Sequence, residues 1–264
     1  MLSCETVQLG HGSGGAMMKR LIDEVFLEAF DAPELHAGND AGVAALPPTG
    51  RIALSTDTFV VTPHTFPGGD IGRLAVCGTV NDVATSGAHV RYLSCGFVIE
   101  EGFPLDDLRR ICKSMAEAAR EANVAIITGD TKVVERGCAD GIYLNTAGVG
   151  DVPEGVNLAS SACKPGDIVL VSGTLGDHGI AIMSVREGLS FQTSIVSDAA
   201  PLNGLVAAVL EAAPHVRCFR DPTRGGLAST LNEFATASCV DIEIDEDAVP
   251  VRPEVRSACD MLGY

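Results

Sequence analysis

The chain carries few basic side chains, and this shortage of positive charge excludes several kinds of partner. Its 264 residues include 18 Lys and Arg against 35 Asp and Glu, which gives a net charge of −17. A surface this acidic repels the phosphates of DNA and RNA and the head groups of anionic lipids. We therefore expect no nucleic-acid or membrane partner. An anionic ligand would have to be held locally by metal ions, backbone amides and a few well-placed cations.

Other absences limit the class of protein further. The chain has no tryptophan and no Cys-x-x-Cys pair, and no apolar run reaches the roughly 18 residues of a membrane-spanning helix. The first residues, MLSCETVQLG, lack the basic and apolar regions of a secretory signal peptide. The sequence thus predicts a cytoplasmic protein whose nine cysteines are reduced thiols that pack mostly as small apolar side chains.

The pattern of apolar residues predicts an α/β (α+β) protein. With 264 residues and 46% hydrophobic content, one large domain or two of ordinary size are expected. Strand-like and helix-like segments alternate up to residue 150, and residues 151–167 are then rich in turn formers with little periodicity. We place the domain boundary in this stretch, with a first domain over residues 1–155 and a second over residues 156–264.

The positions of individual elements follow from periodicities of about 2 residues for strands and about 3.6 for helices. Helices are expected over 17–30, after 67–70, after 104–107, near 177, over 202–212, over 225–237 and at the end of the chain. Strands are expected at 42–46, 51–61, 90–100, 124–128, 141–150, 168–173, 216–221 and 240–245. Asp57 is expected to break the strand at 51–61, and the strand at 124–128 is expected to deliver a GDTK loop.

Five short blocks combine glycine with an acid or an amide. They are HGSGG (11–15), STDTF (55–59), NDVATSGA (81–88), GDTK (129–132) and DPTRGGLA (221–228). Carboxylates at loop ends can hold Mg²⁺, while glycine-exposed amides and a lysine can hold phosphate oxygens. One such block is weak evidence, but five in one chain indicate a site for a metal ion and a polyphosphate.

The first block stands directly before a predicted helix. Residues 10–15, GHGSGG, match G-x-G-x-x-G, but only nine residues precede them, too few for the strand of a dinucleotide-binding fold. No Lys-Ser or Lys-Thr follows, so the block is not a P-loop either. It either presents backbone amides to an anion or forms a turn that caps the helix. His11 is correspondingly either a satisfied loop histidine or a phosphate-binding or acid–base group.

Three aspartates of the first domain are candidate metal ligands. Asp57 lies within an apolar strand, where a carboxylate is costly unless it is paired or bound to metal. Asp82 ends a predicted helix, where the helix dipole disfavours a negative charge and a compensating cation is expected. Asp40 lies one loop before Asp57. Each acid alone would more often be a cap or turn residue, and only the joint pattern indicates a metal site.

A lysine, an arginine and two further acids extend this pattern. Asp130 and Lys132 flank Thr131 after a buried strand, and ligands usually bind at the carboxyl ends of strands in an open α/β sheet. Asp221 has the same kind of position in the second domain. Arg224 either binds a phosphate through its planar guanidinium group or forms a local ion pair with Asp221.

Longer motifs around these blocks resemble one family. They are HGSGG (11–15), GGDIGRLAVCGTVNDVATSGA (68–88), ITGDTKVVE (127–135), SGTLGDHGIAIMS (172–184) and RDPTRGGLASTLNE (220–233). Together they resemble the HypE family of hydrogenase maturation proteins (carbamoyl dehydratases), in the superfamily of aminoimidazole ribonucleotide synthetase and selenophosphate synthetase. The resemblance covers essentially the whole chain, and GDTKVVE and GTLGDHGIA are specific to HypE within the superfamily. It implies a two-domain PurM-like fold whose N-terminal mixed sheet forms a homodimer.

The resemblance also implies a site for ATP and Mg²⁺ in a cleft that involves the dimer interface. The metal-binding aspartates of the superfamily fall on Asp40, Asp57, Asp82 and Asp221, and the phosphate-binding lysine falls on Lys132. Lys132 and Asp82 are the residues implied in catalysis. The nucleotide site is expected at His11, Gly12, Gly14, Gly15, Asp57, Asn81, Asp82, Gly129, Asp130, Thr131, Lys132 and Arg224.

The reaction implied by the resemblance starts from a cysteine at the protein's own C-terminus that the partner HypF has carbamoylated. ATP is used to dehydrate this S-carboxamide to a thiocyanate. The cyanide group then passes through the HypC–HypD complex to the iron of [NiFe]-hydrogenase. Phosphorylating the amide oxygen replaces a very poor leaving group by phosphate, and loss of the N–H proton to a general base completes the nitrile.

The chain departs from the family pattern at its C-terminal end. It stops before the expected Asn-Glu-Gly-Lys block and tail cysteine, and Cys259 lies inside a predicted helix. We therefore expect the second domain to be incomplete and these 264 residues alone to be unable to complete a turnover. Two alternatives stay open: a selenophosphate-synthetase-like enzyme, with Cys4 as its reactive cysteine, and a non-catalytic dimeric scaffold that binds nucleotide or docks other maturation factors.

Overall fold

The computed structural model describes residues 5–13, 15–36, 47, 50–188, 195–223 and 225–263. Its helices are α1 (Gly15–Leu21), α2 (Glu28–Phe30), α3 (Pro33–His36), α4 (Ile71–Thr85), α5 (Leu105–Glu121), α6 (Asp177–Arg186), α7 (Asn203–Ala212), α8 (Gly226–Ser238) and α9 (Pro253–Leu262). Its strands are β1 (Ile52–Phe59), β2 (Thr65–Phe66), β3 (Gly69–Asp70), β4 (His89–Glu100), β5 (Ala125–Val134) and β6 (Ile142–Asp151). Among these residues no helix is both long enough and apolar enough to cross a membrane.

A four-stranded mixed sheet organises the first half of the chain. Its strand order is β1–β6–β4–β5, in which β4 and β5 run parallel and the other neighbours run antiparallel. Helix α5 connects the two parallel strands, which cannot be joined by a tight turn. β2 and β3 form a separate two-stranded ladder ahead of α4. The predicted α/β fold with a mixed N-terminal sheet is confirmed.

Helices α4 and α5 cover one face of the sheet and form the main core with it. Helix α5 buries Leu108, Ile111 and Met115, and alternate residues of β6 are buried beneath α4. The polar groups of this core are satisfied: the Thr146 hydroxyl of β6 donates to the Ala75 carbonyl of α4 at 3.0 Å. The core therefore fixes α4 firmly against the strands that it crosses.

Gly72 allows α4 and α5 to approach each other, and we expect Gly72→Ala to destabilise the fold. A Cβ atom there would lie 2.6 Å from the Ile111 carbonyl oxygen and 2.7 Å from Met115 Cγ, so the helices would have to move apart. Overpacking of this kind costs about 1–3 kcal/mol, which chemical denaturation can measure. Gly204→Ala in α7 is the control, because nothing lies within 4 Å of the added methyl group. Equal stabilities for the two variants would contradict the close helix contact.

The opposite face of the sheet is exposed. Ile52 and Leu54 of β1 are 65% and 73% exposed, and Val98 of β4 is 37% exposed. Asp130 and Lys132 of β5 are also exposed, and Lys132 pairs in register with Val98 on this face. The molecule thus presents a sheet surface that is apolar in part, a feature that monomeric proteins usually keep small.

The helix expected over residues 17–30 is confirmed, with one irregularity. Helices α1 and α2 are joined by a π-helical segment, Ile22–Leu27, so that the helical run continues from Gly15 to Phe30. Its apolar stripe buries Leu21, Val25 and Phe26, and the Phe26 ring lies 4.8 Å from the ring of Phe97 on β4. This run packs the N-terminal segment against the sheet.

Two expectations for the first half are wrong, and strand pairing explains both. Asp57 does not break β1, because it pairs with Thr146 in a register that is continuous along the strand. GDTK is not a loop, because β5 continues through it. Gly129 is needed there for strand packing, since a Cβ atom would collide with the Cys95 carbonyl oxygen of β4. The strand expected at 42–46 lies outside the described residues.

The second half consists of helices and of extended segments without ladder pairing. Helices α6 to α9 occupy the positions that the sequence predicts. The strands predicted at 168–173, 216–221 and 240–245 do not form in the described part of the chain, and Ile168 and Leu170 are 84% and 87% exposed. Alternating apolar residues indicate a surface suited to a sheet, but a strand also needs a neighbouring backbone to pair with. These three strand predictions are therefore wrong.

Helix α4 also holds the second half of the chain. Asn81 donates from Nδ2 to the Ala200 carbonyl at 3.0 Å, and its Oδ1 accepts from the Leu202 backbone N–H at 2.7 Å. About two turns earlier on α4, Arg73 Nε donates to the Ala199 carbonyl at 2.9 Å. An extended segment of the second half is thereby fixed along α4, next to the turn that carries Asp82.

Candidate functional site

Asp57 and Asp82 face each other between β1 and α4. Asp57 points toward the helix, since a Cβ atom at Gly78 would lie 3.9 Å from Asp57 Oδ2. Asp82 follows Gly78 by about one helical turn, on the same side of α4. Its Oδ2 accepts a hydrogen bond from Ser55 Oγ at 2.9 Å. The glycine at position 78 thus makes room for two carboxylates between a strand and a helix.

Asp221 of the second half joins these two acids. Burial raises the pKa of Asp221, and the nearby charges of Asp82 and Asp57 raise it further. Burial likewise raises the pKa of Asp82, and Asp57 adds to that rise. One carboxylate raises the pKa of another only when the two groups lie near each other. Asp57, Asp82 and Asp221 therefore form one group, called here the carboxylate cluster.

Among the described residues, Arg220 is the cation that acts on the carboxylate cluster. Arg220 lowers the pKa of both Asp82 and Asp221, but its guanidinium group also lies 3.2 Å from Glu233. Three partly buried carboxylates with one shared arginine leave an excess of negative charge, which a divalent cation would neutralise. The charge and the carboxylate oxygens of these residues thus fit a Mg²⁺ ion.

The coordination geometry of the cluster is not complete. In the part of the chain that the structure describes, no three His, Cys, Asp or Glu side chains are arranged to hold one metal ion. Asp40, the fourth expected ligand, lies outside that part. The cluster is a concentration of negative charge to which a cation and its remaining ligands would have to be added.

Asp130 and Lys132 lie on the other face of the sheet from the carboxylate cluster. Asp130 is in line with Gly96, Asn145 and Thr58 across the four strands, on the exposed face. Asp57 is one residue out of this line, so its side chain points to the opposite face, toward α4. The structure therefore does not bring the predicted lysine and the predicted aspartates together within one chain.

The first glycine block forms a tight turn against β5. His11 is fully buried and its Nδ1 accepts a hydrogen bond from the Gln8 backbone N–H at 2.9 Å. Burial lowers the pKa of His11, so the imidazole is neutral near pH 7. Gly12 packs on Val133 of β5, since a Cβ atom there would lie 2.6 Å from the Val133 nitrogen. These contacts favour the interpretation of His11 as a satisfied turn residue.

The remaining expected site residues have mixed placements. Thr131 is a buried residue of β5, and its backbone N–H donates to Asp130 Oδ1 at 2.8 Å. Gly15 has a positive φ of 74° and begins α1 with open space around it. Asn81, expected to contact nucleotide, uses its side-chain amide to hold the backbone of the second half. Gly14 and Arg224 lie outside the described residues.

Sequence reasoning missed two members of the site. Ser55 lies two residues before Asp57 and therefore on the same face of β1, a relation that the strand period of 2 could have revealed. Arg220 directly precedes Asp221, but its reach to Asp82 depends on how the two halves pack. Sequence order alone gives no sign of that contact.

A separate cavity of about 320 Å³ lies away from all of these residues. It is lined by Glu100 to Pro104 together with Arg136 and Gly141. The Glu100 carboxylate accepts from the backbone N–H groups of Gly137 and Gly141, which lowers its pKa. The Glu100 carboxylate is thus already engaged in holding a turn.

Comparison with known proteins matches both halves of the chain to one superfamily. The family model "AIR synthase related protein, N-terminal domain" matches residues 38–152, and "AIR synthase related protein, C-terminal domain" matches residues 164–264. The carbamoyl dehydratase HypE of Rhizobium leguminosarum bv. viciae is 56% identical over 258 residues, 97% of this chain and 73% of that protein. HypE of Escherichia coli K12 is 49% identical over 261 residues, 97% of this chain and 77% of that protein.

Two solved structures agree with these sequence matches. A crystal structure of the hydrogenase maturation protein HypE in complex with ATP superposes with a TM-score of 0.95 at 50% identity, covering 98% of this chain and 77% of that one. A crystal structure of a HypE–HypF complex superposes with a TM-score of 0.80 at 53% identity, covering 92% of this chain and 79% of that one.

Proposed function

Because the chain belongs to the HypE carbamoyl dehydratases, within the AIR synthase related proteins, we propose that it is an ATP-dependent dehydratase of hydrogenase maturation. Its substrate is an S-carboxamide on a C-terminal cysteine, and its product is the thiocyanate that supplies the cyanide ligand of [NiFe]-hydrogenase. The observation that carries this proposal is the carboxylate cluster, which brings together acids from both halves of the chain. The HypE relative that was crystallised with ATP has the same fold.

The residues of the chain have separable tasks in this reaction. Asp57, Asp82 and Asp221 would supply part of a Mg²⁺ site, and that ion would offset the negative charge of the phosphates during transfer. Ser55 orients the Asp82 carboxylate through its 2.9 Å hydrogen bond. Lys132 binds phosphate oxygens and stabilises charge on the phosphoryl group as it moves to the amide oxygen. The turn around Gly12 and Gly15 and the backbone near Gly129 surround the nucleotide.

The exposed sheet face supports a homodimer. It carries Ile52, Leu54 and Val98 next to Asp130 and Lys132, and apolar area of this kind is stabilised when a second copy covers it. β1 and β5 are the two edges of the sheet, and we propose that β5 of one protomer lies beside β1 of its partner. Each site would then combine the carboxylate cluster of one protomer with Asp130 and Lys132 of the other.

The domain organisation and the cellular setting follow the same proposal. The first domain, residues 1–155, supplies the sheet, and the second, residues 156–264, supplies Asp221. A relative has been crystallised with HypF, which we propose as the carbamoyl donor for this chain. The HypC–HypD complex is the proposed cyanide acceptor, and the proposed location is the cytoplasm, where thiols stay reduced.

The dehydratase activity can be tested with a substrate supplied in trans. We expect the chain, given Mg²⁺, ATP and a synthetic peptide that carries the Asn-Glu-Gly-Lys block and ends in S-carbamoyl cysteine, to remove the elements of water from the peptide and to release ADP and phosphate. Mass spectrometry of the peptide and a phosphate assay measure the two products. The control omits ATP or replaces it by a non-hydrolysable analogue. ATP binding without any change in peptide mass would favour the nucleotide-binding scaffold instead.

A further inference from the structure

Two cysteines from distant parts of the chain lie in contact. Cys163, in the segment that links the halves, and Cys218, just before the carboxylate cluster, have their Sγ atoms 3.5 Å apart. Both side chains are half-buried, so small molecules can reach them. Cys77 differs, because it is only 2% exposed and a small molecule cannot reach its sulfur atom. The pair is thus distinct from the cysteines that fill the core.

Hydrogen bonds on both sides of the pair fix the two segments to each other. The Ala159 backbone N–H donates to the Arg217 carbonyl at 3.0 Å, and the Arg217 side chain donates to Asp167 Oδ2 at 2.6 Å. The Cys163 backbone N–H donates to Ser238 Oγ at 3.1 Å. The backbone therefore holds the two sulfur atoms 3.5 Å apart, close to the roughly 2.05 Å of a disulfide bond.

We propose that Cys163 and Cys218 are a reversible dithiol–disulfide site that reacts with small-molecule disulfides. The Cys163 thiolate attacks one sulfur of the small disulfide, forming a mixed disulfide and expelling one thiolate. Cys218 then loses its proton and attacks the Cys163 sulfur, which expels the second thiolate. Two protein thiols are oxidised by two electrons, and one small disulfide is reduced to two thiols. Burial, and then the Cys163 thiol, raise the pKa of Cys218 to about 12, so Cys218 is the poorer first nucleophile and the first attack is assigned to Cys163.

The disulfide would restrain the segment that carries Asp221. Cys218 precedes Asp221 by three residues in a stretch that has no ladder pairing in the described structure. A covalent bond to Cys163 would tie this stretch to the linking segment and reduce its local opening. The pair therefore connects the thiol redox state of the protein with the mobility of one carboxylate, whether or not the proposed dehydratase activity is present.

Peptide mapping tests the site directly. The purified chain is incubated anaerobically with oxidised glutathione, its remaining thiols are alkylated, and it is digested without reduction. We expect a cross-linked peptide that joins Cys163 to Cys218 and disappears with dithiothreitol, whereas the exposed Cys138 and Cys239 form only mixed disulfides with glutathione. If Cys138 and Cys239 react while both members of the pair stay fully alkylated, the proposal is overturned.

A second measurement follows the restraint itself. Amide hydrogen exchange over residues 216–221 is expected to slow upon oxidation of the wild-type chain and to stay unchanged in Cys163→Ser, treated identically. The same slowing in the variant would contradict the assignment to this pair. Neither measurement uses nucleotide, so failure of the disulfide and failure of the proposed ATP site are separate results. The mapping also needs no variant, and it stands even where Cys163→Ser folds poorly.

Discussion

Asp82→Asn is expected to weaken Mg²⁺·ATP binding by roughly one to two orders of magnitude. A charged contact of this kind contributes about 1.5–3 kcal/mol, and about 1.4 kcal/mol corresponds to a tenfold change in affinity. Asparagine keeps the shape of the side chain and an oxygen that can accept from Ser55, so the loss isolates the charge. Isothermal titration with Mg²⁺·ATP measures the change.

The same substitution should have the opposite effect on the ligand-free fold. Burial, and then Asp57, raise the pKa of Asp82, which means that its ionised form is less favourable in the folded chain than in the unfolded one. The contribution of an acid with a raised folded pKa to the free energy of unfolding falls as pH rises through that pKa. At pH 7 the contribution of Asp82 is therefore destabilising. Asp82→Asn therefore should keep or raise the Tm while binding is lost.

A matched control separates this effect from a general change of charge. Asp241 is exposed, away from the carboxylate cluster, and Asp241→Asn should leave both binding and Tm unchanged. Wild-type affinity in Asp82→Asn would show that the cluster does not hold the nucleotide's metal ion. Lower Tm together with weaker binding would show instead that Asp82 is a structural residue.

Lys132→Ala is expected to weaken Mg²⁺·ATP binding by a similar factor. Dimers formed from Lys132→Ala and Asp82→Asn chains together should recover part of the lost binding. Because Lys132 and Asp82 lie on opposite faces of one sheet, each proposed site takes them from different protomers. When the two variants are co-expressed, about half of the dimers are mixed, and one of the two sites in each mixed dimer has both native residues. About a quarter of all sites should then bind with wild-type affinity.

The control for this experiment is a mixture of Asp82→Asn with Asp57→Asn. Both residues belong to the carboxylate cluster of one protomer, so every site in a mixed dimer lacks one of them. No recovery is expected in that mixture. If the Lys132→Ala mixture also shows none, Lys132 either acts within its own chain or takes no part in binding. The stoichiometry from calorimetry distinguishes a quarter of the sites from none.

The success of sequence reasoning differed between helices and strands for a physical reason. The helices near residues 71, 105, 177, 203 and 226 begin within a few residues of where local periodicity and turn residues place them. A helix satisfies its own backbone hydrogen bonds, so a local pattern is sufficient. The segments at 168–173 and 240–245 have equally good strand patterns, but pairing depends on distant parts of the chain.

The candidate site shows the same limit. Asp57 and Asp82 could be proposed together from their blocks, and the resemblance added Asp221 from far along the chain. That Lys132 lies on the other face of the sheet follows only from the register of β5 on β4, which no local pattern contains. Asn81 was expected at the nucleotide from the resemblance, yet its amide is used between the two halves. Adjacent residues of one motif can therefore have different functions.

The position of Asn81 and Asp82 side by side on α4 has a consequence for motion. Successive residues of a helix point about 100° apart, so Asn81 binds the extended segment while Asp82 points toward the other acids. Any movement of the extended segment away from α4 would therefore break the Asn81 hydrogen bonds one residue from Asp82.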